Sequence, residues 1–357
     1  MRTIASGEAV RIELAGDLAA AEAPWLEAET GCTNVFSSYE YAQTWWRHFG
    51  AGLEAEIWVV KNADGGVVAV LPLYRTRVRG LPALRFIGGV VADELGPVCA
   101  PADSDHAIAG LLKVMAASRG VVLVTERTTV EDGLAQRLGS VEIEREPSPV
   151  VDLDGLDWDG LMAGFSKNLR RRLRRMENKL TRERGLEYVL TSEPADVARD
   201  LAAVVALHRL RWGAVSGAFD GAKAGFHADF AQVAFERGWL RLWIARLDDE
   251  PAAAFFGLRY QGVECSYQSG RDPRFEQPSI GLLLQAHVIR DAAEAGCDEY
   301  RLLRGDEAYK LRFASRDRPV QSGVASTLPG ARCALAGAVA ARRRLIAFRD
   351  RLDGAAE

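Results

Sequence analysis

Between Leu240 and Leu303 the chain sets an order of elements that restricts its fold more than any other stretch. Three strand-like runs follow one another: Leu240 to Arg246, Ala252 to Tyr260 and Val263 to Ser269. The turn formers Asp248-Asp-Glu-Pro251 and Gln261-Gly262 separate them. The loop Gln277-Pro-Ser-Ile-Gly281 then opens an apolar-periodic helix from Leu282 to Ala295, and Asp298 to Leu303 reads as a further strand. An antiparallel meander that ends in a β-loop-α-β unit is an α/β arrangement with a mixed sheet. The stretch Arg301-Leu-Leu-Arg-Gly-Asp-Glu-Ala-Tyr-Lys310 ends, just past that strand, in a concentration of ionisable groups where chemistry tends to sit.

The first half repeats the theme. Ser37 to Phe49 has a serine cap and helical spacing at Tyr41, Trp45 and Phe49. Ile57 to Lys61 and Val67 to Tyr74 flank the turn Asn62-Ala-Asp-Gly-Gly66 as a hairpin. A strand at Leu84 to Ile87, a helix at Ala107 to Ala117, a strand at Val121 to Thr125 and a helix at Val130 to Leu138 follow. The prolines of Glu146-Pro-Ser-Pro149 interrupt regular structure before the β-like Val150 to Leu153. The second half opens with a basic helix (Leu161 to Arg184), a strand (Leu186 to Leu190) and a long helix (Pro194 to Trp212). A Gly/Ala-rich loop from Gly213 to Gly225 and a helix from Phe226 to Arg237 come next. A chain of 357 residues suits two domains. We expect one fold used twice, in residues 1–153 and 154–325, with 326–357 as an amphipathic helix packed on the body.

Composition excludes several classes. A net charge of −4 gives no global attraction to nucleic acid or membrane. The five cysteines are scattered without a C-x-x-C pair, and no H-x-x-x-H spacing occurs, so neither disulfides nor a metal site is expected. The N-terminus lacks the apolar segment of a signal peptide, and no apolar run reaches the length of a membrane span, so a cytoplasmic protein is expected.

The motifs, taken in order, carry a family likeness. In the first half they are Phe36-Ser-Ser-Tyr-Glu-Tyr41 with Trp45-Trp46, and Val70-Leu-Pro-Leu73 with Phe86-Ile-Gly-Gly89. In the second they are Leu207-His-Arg-Leu-Arg-Trp212, Gly217-Ala-Phe219, Gly270-Arg-Asp-Pro273, Pro278-Ser-Ile-Gly281 and Arg304-Gly-Asp-Glu-Ala-Tyr-Lys310. From about Phe36 to Arg318 the chain resembles the CelD-like branch of the GNAT acyltransferase superfamily, itself similar to the FemABX peptidyltransferases. The resemblance implies tandem GNAT-like domains with mixed, mainly antiparallel sheets flanked by helices. It also implies transfer of an acyl group, acetyl above all, from acyl-CoA to an amine of a small-molecule or sugar-linked acceptor. Two departures stand out. The loop lacks the usual Q/R-x-x-G-x-G/A signature, and Arg301 occupies a strand position where the family pattern usually has an acid.

Such a reaction needs little covalent work from the protein: positioning, oxyanion stabilisation and removal of a proton from the amine. Gln277, Pro278, Ser279, Ile280 and Gly281, opening a helix, can offer N–H groups to a pyrophosphate, with Ser279 as cap; Arg271 and Arg274 can add charge-assisted contacts. Asp306 and Tyr309, with Glu264 and Tyr267 on the preceding strand, are the candidate catalytic residues. Strand alternation sets Glu264 and Tyr267 on opposite faces unless a bulge intervenes. His208, Arg211, Trp212, Phe219 and Lys310 are candidates for the acceptor site.

From Ser166 to Arg184 nine Lys/Arg stand against two Glu, a net +7, while Phe165, Leu169, Leu173, Met176 and Leu180 give one apolar face. In an acidic protein this excess points to a polyanion: cofactor phosphates, a phosphorylated or nucleotide-linked acceptor, or tRNA. The last accords with the FemABX likeness, where aminoacyl-tRNA is the donor. A non-catalytic scaffold in a polysaccharide or biosynthetic assembly is the alternative that Arg301 raises.

Overall fold

The computed structural model describes residues 10–337 apart from 79, 119, 214–215, 276–278, 329, 331–333 and 335. The expected helix at 326–357 falls largely outside the described residues. The first half contains β1 (Arg11–Leu14), α1 (Leu18–Ala28), α2 (Tyr39–Phe49), β2 (Glu54–Lys61), β3 (Val67–Val78) and β4 (Leu81–Phe86). It continues with α3 (Ser104–Ala117), β5 (Val122–Thr129), α4 (Leu134–Arg137), β6 (Val141–Glu146) and β7 (Pro149–Asp152). The second half contains α5 (Trp158–Gly164), α6 (Lys167–Arg184), β8 (Glu187–Leu190), α7 (Val197–Trp212), α8 (Ala222–Glu236), β9 (Leu240–Leu247) and β10 (Glu250–Tyr260). It ends with β11 (Val263–Arg271), α9 (Ile280–Glu294), β12 (Glu299–Arg301), β13 (Arg316–Asp317) and β14 (Val320–Ser326).

Local chemistry accounts for many of these limits. Ser38 accepts a hydrogen bond from the Tyr41 amide and starts α2. The basic helix does not run unbroken from Leu161. Phe165 is extended, and Ser166 starts α6 anew by accepting from the Leu169 amide. Leu169, Leu173 and Leu180 are the buried face of α6, as their spacing requires, and left-handed Gly185 ends it.

The strands form two seven-stranded sheets, ordered β1-β2-β3-β4-β5-β14-β6 and β13-β7-β12-β11-β10-β9-β8. Each is a meander closed by one parallel pair, β4–β5 in the first and β11–β12 in the second, with a helix as the crossover. The two sheets therefore share one topology, and the α/β arrangement of tandem mixed sheets is as the sequence implied. Sheet membership departs from a division at residue 153 in one respect. β7, from the first half, lies between β12 and β13; β14, from the end of the second half, lies between β5 and β6. Each half donates a strand to the other.

The second sheet is covered on both faces. On one, α7 and α8 join α2 and the first sheet in a single apolar core, through edge-to-face contacts of Tyr41 with Phe226 (5.2 Å) and Phe230 (5.0 Å). On the other, α5, α6 and α9 enclose a separate core that includes Leu169, Leu173, Leu283 and Ile289.

Buried charge also ties the halves. Glu94 accepts from Arg318 Nη1 at 2.6 Å and lies 3.8 Å from Arg301. Burial works against its charge, but Arg318 and Arg301 outweigh that and hold the carboxyl below its usual 4.5. A depressed carboxylate stabilises the fold above its unfolded value, and that stability is lost as pH falls through the folded value. Glu94→Gln is expected to lower stability at neutral pH and to flatten the loss between about pH 5 and about pH 3, as read by urea unfolding. Arg318→Ala, which leaves Glu94 buried beside a weaker partner, should cost about 3–5 kcal/mol.

Candidate functional site

The site begins where two parallel strands part. β11 and β12 are paired only through Val263–Cys265 and Glu299–Arg301. β11 runs on to Arg271, whereas the other chain turns away, with positive φ at Leu303 (58°) and Gly305 (120°). The Leu302 and Gly305 amides donate to the carbonyls of Pro149 and Pro147, so this segment follows the lead-in of β7 rather than β11. Buried Lys310 fixes the turn, donating to the Leu303 carbonyl (3.3 Å) and the Arg304 carbonyl and pairing with Glu307 (3.0 Å).

Two cavities flank the opening. The first, about 250 Å³, lies between the N-terminus of α9, α6 and the end of β11. Arg172, Arg211, Arg271 and Arg312 line it together with Ser269, Gly281 and Gln285. α9 has no acidic residue in its first turn, and a Cβ on Gly281 would stand 3.1 Å from the Arg271 Cδ, so glycine lets that side chain cross the helix end. Ser279 does not act as the expected cap. Its backbone is left-handed and its hydroxyl accepts from Arg172 instead. Ile280 is in the core, and Arg274 pairs with Asp272 at 2.7 Å away from the cavity. Gln277 and Pro278 lie outside the described residues.

The second cavity, about 300 Å³, lies between α7, the 302–310 segment and Asp93 of the first half. It brings together His208, Arg211, Trp212, Tyr267, Tyr309 and Lys310 of the expected residues, and adds Ser216, Arg304 and Glu307. Arg211, Ser269 and Tyr309 line both cavities and form the wall between them. Arg211 donates to Ser269 Oγ (3.1 Å) with its guanidinium over the rings of Trp212 (4.4 Å) and Tyr309 (5.5 Å). Burial raises the Tyr309 phenol above its ordinary value of 10, so it stays protonated at neutral pH.

His208, 5% exposed, lies between the Ser269 carbonyl (Nδ1, 3.1 Å) and Ser216 Oγ (Nε2, 2.7 Å). Burial first, and then Arg211, lower its basicity. The close seating of β11 on α7 depends on Gly270, where a Cβ would stand 2.2 Å from the His208 backbone nitrogen.

Other expected residues fall elsewhere. Tyr267 donates to the Val91 carbonyl at 2.8 Å, and its ring packs on Phe36, His227 and Phe256. Glu264 lines neither cavity. It is fully buried on the face toward α9, held by Arg259 at 2.7 Å, with burial pushing its carboxyl up to about 7. A register shift does occur opposite Ser266–Gln268, yet Glu264 and Tyr267 still face opposite ways. Asp306 is exposed and outside the lining, and Phe219 backs the His208 ring at 5.1 Å. Arg301 is also remote from both cavities. It pairs with Glu299 at 3.0 Å and donates to Thr33.

The corresponding opening between β4 and β5 is filled by the protein itself. Trp45 Nε1 donates to the Gly89 carbonyl at 2.7 Å, the Leu95 amide to the Arg127 carbonyl at 3.1 Å, and Arg85 pairs with Glu126 across the gap. Asp103 and Asp105 stand at the start of α3, where they oppose an anion.

A parallel pair that opens beside a basic helix N-terminus is the arrangement of a GNAT-like fold. Residues 167–311 match the family model described as "Acetyltransferase (GNAT) domain". No curated protein sequence matches it. Among solved structures it is similar to FemX, at 13% identity over 86% of this chain and 95% of that one, with a TM-score of 0.59. It is also similar to the C-terminal domain of a lysylphosphatidylglycerol synthetase from Agrobacterium fabrum (13%, 89% and 96%, TM-score 0.54). L-PGS from Bacillus licheniformis is a further match (12%, 90% and 95%, TM-score 0.52). At these identities the likeness is one of fold.

Gly270→Ala is expected to destabilise the protein by about 3 kcal/mol, because backbone rather than a flexible side chain must yield; chemical denaturation reads it.

Proposed function

We propose that this protein transfers an acyl group, acetyl above all, from acyl-CoA to the amine of a small-molecule or sugar-linked acceptor. The observation that carries this reading is the pair of cavities that meet at Arg211, Ser269 and Tyr309. Donor phosphates suit the first cavity, where Arg172, Arg271 and Arg312 converge on the start of α9. The thioester is then directed toward the opening beyond Ser266, where β11 has lost its parallel partner. Negative charge that develops on the thioester oxygen is met by Arg211, for which no carboxylate partner occurs among the described residues. The acceptor occupies the second cavity, so the two reactants approach from opposite sides of one wall.

Native mass spectrometry of the protein as purified should show a co-purified CoA species, and calorimetry should show saturable binding of at least one acyl-CoA. Absence of binding across short and long acyl chains would rule the reading out. Arg172→Ala and Arg312→Ala should each weaken acyl-CoA binding about tenfold, the usual worth of a charge-assisted contact.

A second reading, an aminoacyl-tRNA donor, draws on α6. Arg171, Arg174, Arg175, Lys179 and Arg182 face solvent on the helix whose Arg172 reaches the first cavity. If that reading holds, neutralising Arg170, Arg171 and Arg174 should abolish tRNA binding and reduce its salt dependence by about one unit for each phosphate no longer bound. The scaffold reading rested on Arg301, whose place outside both cavities gives it no support.

A further inference from the structure

We propose that Ser216 and His208 are a proton relay for the acceptor amine, with the Ser269 carbonyl fixing the imidazole. The proposal rests on the acyltransferase reading above and assigns the group that takes the proton.

A carbonyl oxygen can only accept, so the 3.1 Å contact with Ser269 assigns a hydrogen to His208 Nδ1. The Nε2 lone pair then faces Ser216 Oγ at 2.7 Å, and the hydroxyl donates into it. The lone pair is therefore already occupied, and a proton from the amine reaches it through the serine oxygen. As the amine nitrogen bonds to the acyl carbon, its proton passes to Ser216 Oγ while the hydroxyl proton passes to Nε2. The C–S bond breaks, the departing thiolate takes up a proton from solvent, and the imidazolium releases its proton to solvent to restore the neutral ring. The amine has lost one proton and the thiol has gained one, so no further reactant is needed.

The carboxylates around the cavity, the other candidate bases, are committed. Asp93 is bound by Arg304 at 2.7 Å, and Glu307 and Lys310 hold each other at 3.0 Å. Tyr267 donates to a carbonyl, and His227, behind Phe219, does not line the cavity. Burial and Arg211 keep His208 neutral, the state a base requires. A serine held by a histidine can also be a nucleophile. Ser216 lines only the acceptor cavity, whereas Arg211, Ser269 and Tyr309 touch both, which places the hydroxyl with the amine and not the thioester.

Two measurements test this. Nitrogen-15 NMR of histidine-labelled protein should show His208 neutral at pH 7, protonated at Nδ1, with an Nε2 signal that moves downfield in Ser216→Ala as its hydrogen bond is removed. A hydrogen on Nε2, or a charged ring, would overturn the relay whether or not turnover is seen. With acetyl-CoA as donor and hydroxylamine as the small amine, Ser216→Ala should lower kcat about 100-fold with little change in the KM for acetyl-CoA. Its proton inventory in mixed light and heavy water should change from bowed to linear. Unchanged kcat, or an acetyl ester trapped on Ser216 by mass spectrometry, would reject the relay, the ester in favour of a covalent route. Failure of the wild-type chain with every amine and donor would instead count against the acyltransferase reading, and the NMR signals would still decide the hydrogen-bonded array.

Discussion

The cleft depends on an exchange of strands. β7 comes from the first half and lies in the second sheet beside β12, and the residues leading into it determine where the chain goes after Arg301. Pro147 and Pro149 have no N–H, so along this edge they can only accept, and they take the amides of Gly305 and Leu302. The segment stays with β7 and turns at Leu303, whose φ is positive, so the parallel pair ends at Cys265 and Arg301. The opening between β11 and β12 thus accompanies backbone hydrogen bonding between the two halves and the left-handed turn at Leu303. β14 makes the reciprocal move into the first sheet, so separating the halves would strip four ladders at once.

The arginines divide by what meets them. Arg301, Arg304 and Arg318 are bound to Glu94, Asp93, Glu146 and Glu299, most of them across the join between the halves. Truncating such a pair leaves a buried charge and costs far more than a surface ion pair. Arg172 and Arg211 instead meet serine hydroxyls and aromatic faces at the cavity walls. An arginine with neutral partners keeps its full charge for a ligand. Arg301, read from the sequence as a break in the catalytic pattern, belongs to the first group, and its effect is on docking of the halves.

What was legible in the sequence was local. The serine cap of α2, the apolar stripe of α6 and the turns between β9, β10 and β11 each depend on residues a few positions apart, whereas the break at Phe165 before Ser166 was not read. The opposite faces of Glu264 and Tyr267 followed from alternation alone. β14 was not legible: Val-Gln-Ser-Gly-Val-Ala-Ser has little pattern, and Val320 pairs with Thr129 and Glu146, far away in the chain. β7 was read as a strand, but its sheet was not, because a short apolar run fits either neighbour. Within the site, His208 to Trp212 were legible from helical spacing. Ser216 lies in a loop without periodicity, Arg172 was one basic residue among nine, and Asp93 reaches the cavity only through the packing of the halves.

The wall between the cavities links two demands that usually conflict. On the proposed reading, a cation stands beside the thioester oxygen and a neutral base beside the amine. Arg211 meets the first by its position and supports the second because its charge disfavours protonation of His208. Moving the arginine away would weaken the oxyanion contact and at the same time let the imidazole hold a proton at higher pH, closing the lone pair to the amine. The carboxylates that could reverse this effect, Asp93 and Glu307, are neutralised by Arg304 and Lys310. On the proposed reading, burial and Arg211, which has no carboxylate partner among the described residues, hold His208 neutral, while Asp93 and Glu307 are each paired with a cation of their own.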